Sequence, residues 1–157
     1  MRLGRDTRGL ESLPLKLIIV AVVATMSIVP AADALNSLRD KDFIRRAEAQ
    51  LDELVWTAEV VSMEGPGSSR KVSLDFASDG RLAFDRLTLG DHRDGPNSTA
   101  VMLTLSTGAS LVRIADMPLA PMSGPDGEAV VLCSTSATLV LQCVADEDGH
   151  RILLEVV

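Results

Sequence analysis

LPLKLIIVAVVATMSIV, residues Leu13 to Val29, is the stretch whose reading decides the architecture. These seventeen residues hold one charge, Lys16, and are otherwise almost wholly apolar. Crossing a bilayer takes about 20 residues. Leu13 to Leu35 meets that length, with Lys16 able to snorkel to the near face. Arg2, Arg5, Arg8 and Lys16 against Asp6 and Glu11 give residues 1–16 a net charge of +2, so the remainder carries −9 of the total −7. A basic flank ahead of an apolar run places the N-terminus in the cytoplasm and the acidic part outside. The expectation is a single pass through the cell membrane, with membrane lipid as the first partner. An acidic body disfavours nucleic acid.

Beyond the apolar run the chain has room for one modest domain. After Pro30 and Ala31-Ala32-Asp33-Ala34, a helical pattern runs from about Asn36 to Met63. Ile44, Ala47, Leu51, Leu54, Ala58 and Val61 recur at alternating intervals of three and four, which draws an apolar stripe down one side. Such a stripe needs a surface, and packing on the protein's own sheet is expected, with Trp56 against that sheet. Gly65-Pro66-Gly67 ends the helix.

From Arg70 the period changes to two. Val72, Leu74 and Phe76 alternate with polar residues, Asp79-Gly80 signals a turn, and Leu82 and Phe84 resume beyond it. The alternation changes phase at Asp85-Arg86, which predicts a bulge or strand end. Further strands are expected at Val101–Leu105, Leu111–Ile114, Ala129–Cys133, Thr138–Val144 and Arg151–Val157. Pro118, Pro121 and Pro125 make a loop in between. Leu139, Leu141 and Cys143 are expected to meet Ile152, Leu154 and Val156. The fold class is therefore α+β: a long N-terminal membrane and amphipathic helix, then an antiparallel β-sheet or small β-sandwich head of about six or seven strands. The division is 1–9 basic leader, 10–35 transmembrane helix, 36–64 amphipathic helix and 65–157 extracellular β domain. The chain shows no internal repeat and no low-complexity segment.

Little in the head points to chemistry. His92 and His150 lie in turns rich in Asp and Gly, and Asp91, His92 and Asp94 are adjacent loop residues that would need other ligands to hold a metal. Nucleophile elbows, glycine-rich phosphate loops and zinc-protease motifs are missing. Trp56 and three Phe leave no stacking platform for sugars or bases. No catalytic residue, metal ligand or cofactor is expected, and no small-molecule substrate is evident. Asn97-Ser98-Thr99 is an N-glycosylation acceptor on the side expected to be outside. Cys133 and Cys143 suit either an exported disulfide or two thiols. A tight hairpin around Thr135-Ser136 would set them roughly 15–20 Å apart, at about 3.3 Å per residue, and so exclude a bridge.

Three fates of the apolar segment compete. Ala32-Asp33-Ala34, behind a basic leader and an apolar core, fits a secretory signal cut between Ala34 and Leu35. An uncut segment is a plain anchor. The third fate rests on a resemblance. Arg8-Gly9, followed by Leu10-Glu11-Ser12-Leu13-Pro14-Leu15-Lys16-Leu17, resembles the class III signal region of archaeal type IV pilin-like proteins. The resemblance covers residues 8 to about 35 and implies cleavage between Gly9 and Leu10 by a prepilin peptidase. The apolar helix would then be retained, first as an anchor and later as the packing core of a filament. It also implies other pilin-like subunits or an assembly platform as partners, and a minor filament subunit as the function. The nearest carboxylate to the new terminus is Glu11, and Pro14 stands where bacterial pilins favour Glu. Pro30 is expected to kink the helix or end its first half. The alternative function is a secreted or membrane-anchored β-sandwich binding module without a filament role.

Overall fold

The computed structural model describes residues 8–92, 95–115, 120–146 and 149–157, with the backbone alone for residues 8–13. One long helix, α1 (Arg8–Glu64), is followed by β1 (Ser69–Asp75), β2 (Phe84–Leu89), β3 (Ala100–Leu105), β4 (Ser110–Ile114), β5 (Met122–Ser123), β6 (Val130–Leu132), β7 (Ser136–Asp146) and β8 (Gly149–Val156). The fold is α+β, with two four-stranded sheets of order β1-β7-β8-β5 and β4-β3-β2-β6. All pairings are antiparallel except that of β5 with β8. The chain divides into two units, residues 1–38 and 39–157.

In the first unit every residue from Pro14 to Leu35 is exposed. Its best 18-residue window has a mean hydropathy of 2.2 and none of it is buried, so α1 is long and apolar enough to cross a membrane. The two prolines, Pro14 and Pro30, lie within the helix. Pro30 thus does not end its first half. A proline removes one intrahelical hydrogen bond, a loss that membrane-spanning helices absorb through their neighbouring polar groups.

The second unit begins with the amphipathic half of α1. Its stripe is Phe43, Ala47, Leu51, Leu54, Ala58 and Val61, all at 2% exposure or less. The first large residue of that stripe is Phe43 rather than Ile44, which is only half-buried. Phe43, Ala47 and Leu51 follow one another at intervals of four and so sit one above another on the helix face. Each large side chain so buried contributes roughly 1.5–3 kcal/mol. They join Val72, Leu74, Leu139, Leu141, Cys143, Ile152 and Leu154 of one sheet and Leu87, Leu89, Val101, Leu103 and Leu105 of the other in a single core. The helix ends at Gly65, whose φ of 83° suits glycine and whose N–H donates to the Val61 carbonyl.

Polar side chains on α1 hold the edge strands of both sheets. Gln50 donates to the Asp75 carbonyl and accepts from the Asp75 N–H, both at 2.6 Å, at the end of β1. Arg113 of β4 reaches Asp52 at 2.7 Å and Glu48 at 3.3 Å. Hydrogen bonds to Asp52 and then Glu48 raise the guanidinium pKa above its already high ordinary value. Asp40 accepts from the N–H groups of Arg81 and Leu82. Gly80 lies close beside it, and a Cβ there would displace the Asp40 carboxylate that holds these two N–H groups.

The phase change at Asp85-Arg86 is a bulge: the β2–β3 register shifts between Phe84 and Arg86. Leu139, Leu141 and Cys143 stand opposite Val156, Leu154 and Ile152. Two turns differ from a simple hairpin reading. Asp79-Gly80 joins β1 to β2, which lie in different sheets, with Phe76 and Phe84 stacked 5.3 Å apart between them. Ser134-Thr135 likewise links β6 to β7 across the sheets, because both edges of β7 are already taken by β1 and β8. Within the proline-rich loop lies β5, which adds to the edge of β8. The described residues form eight strands where six or seven are expected.

Candidate membrane segment and head surfaces

The apolar half of α1 is chemically suited to lipid beyond its hydropathy. Its two hydroxyl side chains are satisfied within the helix. Thr25 donates to the carbonyls of Ala21 and Val22, and Ser27 to that of Val23, at 2.8–3.0 Å. An unpaired hydroxyl in hydrocarbon would be costly, and back-bonding of this kind removes that cost. Gly9 and Leu10 lie in the first turn of α1, while Ala34 and Leu35 lie well inside it.

Asn97 is exposed in the turn between β2 and β3, where its carbonyl accepts from the Ala100 N–H at 2.9 Å. Both cysteines are free thiols. Cys133 follows β6 and is exposed, whereas Cys143 is fully buried in β7. Burial pushes the Cys143 thiol pKa up. His92 is exposed after β2, and His150 is exposed at the start of β8 opposite Ala145. Asp94 lies outside the described residues. Among the described residues, no three His, Cys, Asp or Glu side chains come together as a metal site.

The outer faces of the two sheets differ in character. On the β1-β7-β8-β5 sheet, Lys71, Val140 and Glu155 stand in one cross-strand row and Ser73 lies opposite Thr138, a mixed and charged surface. On the other sheet, Val131, Thr88, Met102 and Val112 form a continuous row across β6, β2, β3 and β4. Val131 is 52% exposed, Val112 45% and Met102 36%. Around Met102 and Val112 is a depression of about 210 Å³, whose rim includes Asn97. Alternation explains this surface: Leu103, Leu87 and Leu132 turn inward, so their neighbours must turn out. The two outward Val residues show no period of their own that marks them as surface.

Trp56 faces outward on α1, 59% exposed, beside Ile114 and Arg113. It does not pack beneath the sheet. Position 56 follows Leu54 by two residues, about 200° around the helix, and the buried stripe passes instead through Thr57 and Ala58.

No curated protein and no solved structure matches this chain significantly. Residues 17–157, which take in the apolar segment from Leu17 onward and the whole β head, match a family described as a domain of unknown function, and the chain accordingly belongs to the DUF7311 family.

Proposed function

We propose that this chain is a pilin-like, single-pass membrane protein, a minor subunit of a surface filament or related assembly, with its acidic β head outside the cell. The observation that carries this reading is α1 itself. One helix has an uncovered apolar first half and a second half whose stripe is built into the head. A cut at Ala34-Leu35 divides that helix, whereas a cut at Gly9-Leu10 removes only its first two residues. The family match also includes the apolar segment from Leu17 onward. The resemblance around Arg8-Gly9 supplies the prepilin peptidase as the processing enzyme. The function follows from helix packing, first in lipid and then against other subunits.

N-terminal sequencing of the protein from its native membrane tests this. A start at Leu10 is expected, and Gly9→Val should abolish that cut. A start at Leu35 would refute the retained helix. A start at Met1 would refute pilin processing and leave an anchor.

A further inference from the structure

We propose that Asn97 carries an N-linked glycan whose first sugars lie over the apolar outer face of the β4-β3-β2-β6 sheet. The inference rests on the outward topology proposed above, since an acceptor is modified only on that side of the membrane. Three independent observations converge on it. First, Asn97-Ser98-Thr99 is a complete acceptor triplet, and Asn97 is exposed in a turn, where a transferase can reach its amide. Second, Asn97 stands on the rim of the depression formed by Thr88, Ala100, Met102 and Val112, so a sugar on its amide begins at the edge of that face. Third, that face is apolar in the middle while the corresponding face of the other sheet is charged.

The chemistry of a sugar fits such a place. Its ring presents C–H groups on its faces and hydroxyls around its edge. The C–H face covers Met102 and Val112. The hydroxyls reach water and the polar groups at the rim, Asp91 among them. Attachment at the rim makes the contact intramolecular, so a weak interaction still holds the cover in place much of the time. An exposed apolar row on an extracellular head is otherwise a liability for unwanted association. The glycan therefore serves as a covalently attached lid for the sheet.

Two measurements on the full-length protein from its native membrane test the proposal. Mass spectrometry of the peptide bearing Asn97 should show added hexose units, absent in N97Q. In a Cys133→Ser background, Met102→Cys should react with a maleimide at least about threefold more slowly when Asn97 is modified than in N97Q, as expected of a tethered cover. An unmodified Asn97 in a head that external protease digests on intact cells overturns this proposal and leaves the topology standing. A head that external protease cannot reach overturns the topology and this proposal together. Equal labelling with and without the glycan overturns the lid, and equally slow labelling in both points to a protein partner on that face instead.

Discussion

Gly90→Ala should be among the most damaging small substitutions in the head, and its cost can be assembled from the structure. Gly90 is buried at the end of β2 with φ of 66°. A side chain there pays about 1–2 kcal/mol for the left-handed conformation. An added Cβ would also lie 2.7 Å from the Met122 carbonyl carbon and closer still to its oxygen. That carbonyl belongs to backbone and cannot swing away alone. It accepts from the Asp91 N–H at 3.3 Å, while the Met122 N–H donates to Ser98 at 2.8 Å. Displacing it weakens at least one buried hydrogen bond, about 1 kcal/mol, and misplaces the Met122 side chain, 1% exposed, for about 1–3 kcal/mol more. The total is roughly 3–6 kcal/mol. Gly108→Ala is the control. Its φ is 83° but nothing lies within 4 Å of the added methyl, so only the conformational cost of about 1–2 kcal/mol remains. The assay is urea unfolding of the full chain in detergent, in a Cys133→Ser background, read by alkylation of the otherwise buried Cys143. With a slope of about 2 kcal/mol/M, Gly90→Ala should lower the midpoint by about 2 M and Gly108→Ala by under about 1 M. A Gly90→Ala midpoint no lower than that of Gly108→Ala would refute the close-approach reasoning.

In the folded wild type, Cys133 should alkylate readily and Cys143 only on unfolding. Because burial raises the folded Cys143 pKa above the unfolded one, its contribution is fully present below about pH 8.5 and is lost as pH rises through the folded value. Urea midpoints read by far-UV circular dichroism up the alkaline range should therefore fall, and Cys143→Val should flatten that slope. Gln50→Glu keeps the acceptor for the Asp75 N–H but loses the donor to its carbonyl. In urea unfolding followed from neutral into acid pH, at this partly exposed site, it should cost about 1 kcal/mol at neutral pH and recover when the new carboxyl is protonated. Trp56→Ala should change stability by less than about 0.5 kcal/mol because the ring is largely in solvent, and a loss of several kcal/mol would show that the ring is packed.

Periodicity made the elements legible where one surface dictates it. The phase change at Asp85-Arg86 became the β2 bulge, and the alternation of Leu139, Leu141 and Cys143 with Ile152, Leu154 and Val156 became the β7–β8 register. Which strand accompanies which was less legible. A turn signal such as Asp79-Gly80 reports a change of direction, and the same local chemistry serves a hairpin or a crossing between sheets. The choice is made by distant residues, here Asp40 and the pairing of β1 with β7. The size and hydrophobicity of Trp56 favour burial, but its angular position on α1 places it outside. The short strand β5 carries no period at all, and its formation depends on an open edge of β8. Asn97 could be picked out by its triplet, but its position beside Met102 and Val112 depends on the β2–β3–β4 pairing.

The pairing of β1 with β7 also has a consequence for the order in which the protein is made. Ser73 and Thr138, 65 positions apart, face each other across that pair, and β7 in turn needs β8 on its other side. A chain synthesised from its N-terminus therefore delivers α1 and β1 long before the strands that cover the helix's buried stripe. Loop closure over such distances is slow and is rewarded only at the end. The head cannot mature piecemeal while it is being made. It must wait until β8 has been made, and removal of β8 should leave no smaller folded head behind.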